Sequence, residues 1–118
     1  MVTDFYHKEL LKKEEIPVTI KDLEYFQTAC QERSITKAAK LLYITPQGLS
    51  KTIKNLEYEF QTQLLNRSTA GITLTETGQY LFEHLPEFLD SYHSIYKDIQ
   101  EIRQRENHEI DLLSAYGI

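Results

Sequence analysis

The chain has 118 residues, of which 41% are hydrophobic and 26% charged, and its formal net charge is −5. This length allows one small domain with a modest core, and the hydrophobic content excludes a disordered chain. No apolar stretch approaches the roughly 20 residues that a membrane span requires, and residues 1–19 lack the apolar core of a signal peptide. The single cysteine, Cys30, excludes an internal disulfide. We therefore expect a cytoplasmic protein with an inert, buried thiol.

The negative charge is unevenly distributed along the chain. Residues 76–118 carry three basic and nine acidic side chains, whereas residues 20–75 carry seven basic and five acidic ones. From Arg33 to Arg67 there are six basic and two acidic residues. The middle of the chain is therefore mildly positive and permits contact with phosphates, even though the whole chain is acidic.

Residues 1–19 are predicted to form a marginal helix followed by a linker. Phe5, Tyr6, Leu10 and Leu11 have near-helical spacing, and a charged KKEE run and Pro17 follow. A solvated extension and a packing or partner-binding segment both agree with this pattern. A first stable helix should begin near Ile20, because Thr19 and Asp22 form a variant of the capping box.

Two short helices across a tight turn are predicted next. The first, Ile35 to Leu42, is capped by Ser34, and the small side chains of Ala38 and Ala39 allow it to cross a neighbouring helix closely. Six further side chains are predicted to enter the core. The helix that begins near Ile20 supplies Leu23, Phe26, Gln27 and Cys30, and the helix from Ile35 to Leu42 supplies Leu41 and Leu42.

The following helix has the features of a recognition helix. Thr45 is a suitable N-cap, and Pro46 occupies the first helical position, where its missing N–H has no cost. Two opposite stripes follow at about 100° per residue. The apolar stripe contains Leu49, Ile53, Leu56 and Phe60, and the polar stripe contains Gln47, Lys51, Lys54 and Tyr58, with Ser50 and Asn55 beside it. Amide, hydroxyl and ammonium groups on one face suit a DNA major groove, so residues 35–54 are predicted to form a helix-turn-helix.

After this helix, β-prone residues flank an Ala70-Gly71 turn. We predict a two-stranded β wing from Leu64 to Arg67 and from Ile72 to Leu74, because Gly71 can adopt the positive φ of a short hairpin. Thr75 then caps a long helix. The predicted fold class is mainly α: a winged helix-turn-helix of three helices and a two-stranded wing over residues 20–75, followed by a long linker helix over residues 76–107.

The linker helix carries apolar residues at alternating spacings of four and three, which is the pattern of a helix packed along another helix. Pro86 removes one backbone hydrogen bond, so we expect a kink near His84 with helix on both sides. Residues 108–118 are interpreted as a tail, with Ile110 to Ala115 as the opening of a strand of a further domain. The predicted dimer interface comprises Leu85, Phe88, Tyr92, Ile95, Ile99 and Ile102.

Five motifs in order give the chain a specific resemblance over roughly residues 20–105: LEYF at 23–26, SITKAA at 34–39, TPQGLSKTIKNLE at 45–57, LLNR at 64–67 and LTETG at 74–78. Together they resemble the N-terminal winged helix-turn-helix of the LysR-type transcriptional regulators. The resemblance implies a dimeric bacterial regulator that binds double-stranded DNA at an interrupted inverted repeat. It also implies a separate C-terminal domain for a small effector, which this chain lacks, and neither a cofactor in this chain nor a membrane partner.

The resemblance also implies which residues touch DNA, with the wing lying near the minor groove. The chain departs from the family pattern in having Pro46 before Gln47 instead of Gln before Pro, an uncharged wing tip, Gln61 in place of Gly, and Pro86 in the linker helix. The implied contact residues are Thr45, Pro46, Gln47, Ser50, Lys51, Lys54 and Arg67.

Several alternatives stay open from the sequence. Arg67 agrees equally well with a phosphate contact and with a structural ion pair to Glu57. A winged helix can also serve as a protein-docking module without DNA affinity, which the weakly charged wing favours. An enzyme is not expected, because the chain has no phosphate loop and its carboxylates fall on a predicted solvated helix. The histidines at positions 7, 84, 93 and 108 lack the mutual spacing of metal ligands.

Overall fold

The computed structural model describes the backbone of residues 18–115 and the side chains of residues 18–110. Residues 1–17 of the predicted N-terminal extension, which was to contain a marginal helix and a linker over residues 1–19, lie outside the described residues. The fold is the predicted winged helix-turn-helix with a long C-terminal helix. Its elements, in chain order, are α1 (Ile20–Glu32), α2 (Ile35–Leu41), α3 (Pro46–Phe60), β1 (Leu65–Ser68), β2 (Gly71–Leu74) and α4 (Glu76–Ala115).

Each helix begins at the position that was predicted from its N-cap residue. Thr19 and Asp22 form a reciprocal capping box at α1, and the Ser34 hydroxyl accepts from the Lys37 N–H at α2. At α3 and α4 the hydroxyls of Thr45 and Thr75 accept from the N–H three residues later, at 3.0 Å in both cases. These bonds satisfy N–H groups that have no partner inside a helix, so the caps define the boundaries of the helix-turn-helix.

Helices α1, α2 and α3 contact one another in pairs and enclose the core. The inward stripe of α3 is confirmed for Leu49, Ile53 and Leu56, which are fully buried. Ala38 and Ala39 are buried as predicted, so α2 crosses its neighbours at close range. From α1 the core receives Phe26, Ala29 and Cys30. Burial raises the pKa of the Cys30 thiol to about 12, which keeps it protonated and unreactive at neutral pH.

Two predicted core residues are exposed instead. Leu41 is 57% exposed, because it and Leu42 lie about 100° apart on a short helix and only Leu42 turns partly inward. Phe60 is 48% exposed, since it is the last residue of α3, where the end of the helix is open to solvent. Gln61 follows in the left-handed region at φ 54° and ends the helix.

The wing is a two-stranded antiparallel hairpin whose register runs from the Leu65–Leu74 pair to the Ser68–Gly71 pair. Its strands differ from the predicted ones by one residue at three of their four ends. Gly71 adopts φ 123°, and a Cβ at this position would lie 2.7 Å from the carbonyl oxygen of Arg33. The same carbonyl accepts a hydrogen bond from the Ile72 N–H at 3.2 Å. The turn end of the wing, where β2 begins, is thus attached to the end of α1.

The start of α4 is attached to the segment before β1. The Thr75 and Thr77 hydroxyls both donate to the Gln63 carbonyl, at 2.6 and 3.0 Å. Gly78 is buried, and a Cβ there would lie only 2.0 Å from the carbonyl oxygen of Leu64. A side chain of any size would therefore separate the first turn of α4 from the wing.

The chain divides into two units, one ending at Glu83 and the other beginning at His84. Helix α4 continues through Pro86 to Ala115, so the predicted helix end at residue 107 and the strand at Ile110 to Ala115 were wrong. The last ten residues of α4, ENHEIDLLSA, contain no glycine or proline, and extending an existing helix needs no new nucleation. The kink near His84 stays a prediction.

The predicted interface stripe on α4 separates into two parts. Leu85 is 2% exposed and Leu89, one turn later, is 5% exposed, so both are buried, and a contact of Leu85 with a partner helix stays a prediction. Helical spacing of four places Leu85 and Leu89 on a stripe of their own. The other five predicted residues are 39–59% exposed: Phe88, Tyr92, Ile95, Ile99 and Ile102.

Within residues 18–115, every helix is too short or too polar to cross a lipid bilayer.

Candidate nucleic-acid interface

Six of the seven predicted DNA-contact residues lie together along one shallow groove. The core face of α3 turns Leu49 and Ile53 inward, and this orientation forces the opposite stripe of the helix outward. The wing strand β1 adds one side chain to the helix residues. The groove is lined by Pro46, Gln47, Ser50, Lys51, Lys54 and Arg67.

Thr45, the seventh predicted contact residue, has a structural role in addition to its predicted DNA contact. Its hydroxyl accepts from the Gly48 N–H and caps the recognition helix α3. This contact uses the oxygen as an acceptor, so the hydroxyl proton of Thr45 can still be donated. Tyr58, on the same outer stripe, is 71% exposed and does not cover the core.

Arg67 crosses from the wing to the recognition helix. Its Nη1 donates to the Ser50 Oγ at 2.9 Å, over a sequence separation of 17 residues. The Glu57 carboxylate is used elsewhere: its Oε2 accepts from the backbone N–H of Leu64 at 2.8 Å and of Leu65 at 3.3 Å. In the described part of the chain Glu57 therefore fixes the entry to β1, and the alternative ion pair with Arg67 is not formed.

The groove combines positive charge with several kinds of hydrogen-bond donor. Lys51, Lys54 and Arg67 supply the cations, and Gln47 supplies an amide that can both donate and accept. All four of these side chains are exposed, whereas Ser50 is half-buried. Cations suit phosphate oxygens, and the amide and hydroxyl suit base edges. Within residues 18–110 no three His, Cys, Asp or Glu side chains form a cluster that could hold a metal ion.

A second shallow groove, which the sequence reasoning missed, adjoins the first and shares Ser50 and Arg67 with it. It lies between the start of α2 and the wing, and is lined by hydroxyl side chains. The signal was present in the cap Ser34 and the run of Ser68 and Thr69, but only the tertiary contact between α1 and β2 brings these segments together. The hydroxyl-bearing residues added here are Ser34, Thr36, Ser68 and Thr69.

The turn between α2 and α3 contains a second feature that the sequence did not indicate. Tyr43 has φ 58°, in the left-handed region, and its side chain is 96% exposed. This conformation is unfavourable for a bulky residue. A tyrosine thus lies two residues before the cap of the recognition helix in an unfavourable backbone conformation, and its side chain is not part of the core.

Comparison with known proteins identifies the family. Residues 20–79 match the family model described as bacterial regulatory helix-turn-helix protein, lysR family. The chain belongs to the LysR family. Among curated LysR-type relatives, it is 36% identical over 97 residues to the HTH-type transcriptional activator TtdR of Escherichia coli K12, covering 82% of this chain and 31% of TtdR. It is 34% identical over 96 residues to the HTH-type transcriptional regulator CysL of Bacillus subtilis, covering 81% of this chain and 32% of CysL.

Solved structures of the LysR family share the fold. The BenM_DBD/catB site 1 DNA complex contains a chain with a TM-score of 0.67 and 31% identity, which covers 71% of this chain and 94% of that one. The CbnR_DBD–DNA complex matches with a TM-score of 0.68 at 24% identity, which shows the common fold alone; the match covers 71% of this chain and 97% of that one. The present chain spans about a third of the length of the curated relatives.

Proposed function

We propose that this chain is the DNA-binding portion of a LysR-family transcriptional regulator that recognises a specific double-stranded DNA sequence. The observation that carries the proposal is the groove along α3, where one amide, one hydroxyl and three cations meet on the face opposite the core. In a helix-turn-helix, the recognition helix enters the major groove, and its N-terminal residues contact base edges. Here those residues are Pro46, Gln47, Ser50 and Lys51.

Two kinds of contact are assigned along the groove. Gln47 and Lys51 lie on the first two turns of α3 and are proposed to contact bases, whereas Lys54, one turn further, contacts phosphate. Gln47→Ala or Lys51→Ala should weaken binding to the specific site by about 1–3 kcal/mol and relax the preference at one base pair. Lys54→Ala should weaken binding to specific and random duplexes alike. Lys97→Ala, which removes the same charge from α4 outside the groove, is the control.

The measurement is a titration of duplex DNA at several salt concentrations, on a site selected from a random pool and on a scrambled duplex. With Lys54 and Arg67 on phosphates, the slope of log affinity against log salt should be near −2 for each DNA-binding unit, from about −0.9 for each neutralised phosphate. Lys54→Ala should flatten this slope by about one unit. Equal losses on both duplexes for Gln47→Ala, Lys51→Ala and Lys54→Ala would refute the separation of base and phosphate roles.

We further propose that the regulator is a homodimer joined through α4 and that its site is an interrupted inverted repeat. The five exposed apolar residues from Phe88 to Ile102 support this, because they would form a larger hydrophobic surface than monomers usually leave in water. A small effector is a partner only if the full-length protein has a C-terminal domain that binds it. We propose that the protein works in the cytoplasm without a cofactor in this portion.

A protein-docking module is the second candidate, and the wing tip supports it. Ser68, Thr69, Ala70 and Gly71 carry no charge, whereas minor-groove contacts generally use arginine or lysine. Retention of the chain on heparin or random duplex that falls steeply with salt supports DNA binding. If neither material retains the chain at low salt, the DNA proposal is wrong and the result favours the docking function.

A further inference from the structure

One hydrogen bond joins the wing to the recognition helix, from Arg67 to Ser50. A serine hydroxyl has one proton to donate and two lone pairs that can accept. At Ser50 one lone pair is occupied by Arg67 Nη1 at 2.9 Å. Within the described residues, the Ser50 hydroxyl proton has no acceptor, and Ser50 lines the groove assigned above to DNA. Its donor therefore remains available to a ligand in that groove.

The guanidinium changes what Ser50 can recognise. A cation that donates to a hydroxyl oxygen polarises the O–H bond, and chains of hydrogen bonds strengthen one another in this way. The same positive charge disfavours a second donor that approaches the oxygen. Ser50 beside Arg67 is thus a good donor and a poor acceptor.

The major groove offers both kinds of partner. Guanine N7 and O6, adenine N7 and thymine O4 accept hydrogen bonds, whereas cytosine N4 and adenine N6 donate them. A free serine hydroxyl can bond to either kind and therefore discriminates weakly. A serine restricted to donation selects an acceptor.

We propose that Arg67 is a positioning residue that fixes Ser50 as a hydrogen-bond donor, so that Ser50 selects a base with an acceptor atom at one position of the DNA site. This inference rests on the proposed DNA binding. It gives Arg67 a role in base preference in addition to any phosphate contact, because four of its five N–H donors are still available.

The geometry of the wing allows Arg67 to perform this role. Arg67 lies on β1 opposite Ile72 in the antiparallel register, and Ile72 is buried with its N–H bonded to the Arg33 carbonyl. The backbone that carries Arg67 is therefore held against the helical core, although the guanidinium itself is exposed. An anchored strand restricts where the guanidinium can lie, which favours one orientation of the Ser50 hydroxyl.

The test is a selection of bound sites from a random duplex pool, with the whole chain as wild type, Ser50→Ala, Arg67→Met and the double variant. Arg67→Met keeps much of the side-chain length but removes both charge and donor. Lys54→Met is the matched control, because it removes one cation from the same groove without touching Ser50. Circular dichroism checks that each variant is folded, which we expect because these changes lie outside the core.

Ser50→Ala should reduce discrimination at one base-pair position by about 5- to 150-fold, the range of one good base contact. Arg67→Met should reduce discrimination at the same position and also weaken binding to all duplexes. In the Ser50→Ala background, Arg67→Met should leave the base preferences unchanged and lower only overall affinity. Lys54→Met should lower overall affinity while it preserves the preference.

A second experiment applies if the preferred base is a purine that is contacted at N7. Replacing it with a 7-deazapurine removes the N7 acceptor. Wild type should then lose affinity, and Ser50→Ala should not. The inference is overturned if Arg67→Met retains full preference at the Ser50-dependent position, or if Ser50→Ala changes no preference. If wild type binds no duplex at low salt, the proposed DNA binding itself fails, and this assignment fails with it.

Discussion

The two units of the chain use the same helical spacing of apolar residues with opposite results. In the unit that ends at Glu83, the stripe of Leu49, Ile53 and Leu56 is fully buried. In the unit that begins at His84, Ile95 and Ile99 are 59% and 55% exposed. Periodicity therefore identifies the apolar face of a helix in both units. Whether the same chain or another molecule covers that face depends on the length of the helix and on its neighbours.

The strongest test of this comparison is the introduction of a charge into the exposed stripe. Burial of isoleucine is worth roughly 1.5–3 kcal/mol per side chain, and dimer symmetry counts it twice, so Ile95→Asp should destabilise the proposed dimer by roughly 3–6 kcal/mol. Sedimentation at micromolar concentration should show a wild-type dimer and a monomeric variant, and the variant should bind DNA more weakly because only one half-site is held.

Ser94→Asp is the matched control for Ile95→Asp. It adds the same charge at the adjacent exposed position, outside the alternating apolar stripe, and should leave the dimer intact. A wild-type chain that sediments as a monomer would contradict the assembly proposal and would leave the exposed stripe of α4 without an explanation in this chain.

The second test deletes side-chain volume from the buried stripe. Ile53→Ala should lower the free energy of unfolding by about 2–5 kcal/mol, because it removes a fully buried side chain and leaves a cavity. Tyr58→Ala on the exposed face of the same helix should change it by less than about 0.5 kcal/mol. Urea denaturation measures both values. Similar losses for the two variants would show that α3 is not packed as described.

The third test is at the start of α4, which belongs to the packed unit. Gly78→Ala places a Cβ about 2.0 Å from the carbonyl oxygen of Leu64. One of the two segments must move, and overpacking of this kind lowers stability by about 1–3 kcal/mol even though alanine favours helix more than glycine does. Gln79→Ala, one residue later and exposed, is the control. A thermal melt in which Gly78→Ala is more stable than wild type would contradict the close approach.

The smallest expected effect concerns the turn before α3. Tyr43→Gly should raise stability by about 0.5–1 kcal/mol, since glycine adopts the left-handed region without the steric strain of a tyrosine at φ 58°. The gain should appear as a higher denaturation midpoint with an unchanged slope. Gln61→Gly, at φ 54° after α3, should show a gain of similar size. A loss of stability at Tyr43 would reveal packing that its 96% exposure does not show.

Much of the winged unit could be predicted because its signals are local. The caps Thr19, Ser34, Thr45 and Thr75 act within three residues of themselves, so the sequence alone placed all four helix starts. The groove residues followed from the same local periodicity on α3. In contrast, the bonds from Arg67 to Ser50 and from Leu64 to Glu57 join residues that are distant in sequence. Pattern alone could not decide between the possible partners of Arg67.

Spacing and composition were also insufficient on α4. Leu85 and Ile95 occupy the same heptad pattern, but one is buried in the single chain and the other is exposed, and spacing does not distinguish them. The strand predicted at Ile110 to Ala115 was inferred from a change in composition. Continuation of an existing helix requires only that each added residue tolerate the helix, and this run contains no residue that stops it.

The attachment of the wing to the Arg33 carbonyl has a consequence for the redesign of its outer contact. The Ile72 N–H, one residue from the turn, bonds to the end of α1, and Gly71 lies too close to the same carbonyl to accept a Cβ. Charges can therefore be introduced at the exposed Thr69 and Ala70, whereas a side chain at position 71 would push the hairpin away from α1. Substitutions at Thr69 and Ala70 would vary the outer contact of the wing while the attachment of β2 to α1 stays constant.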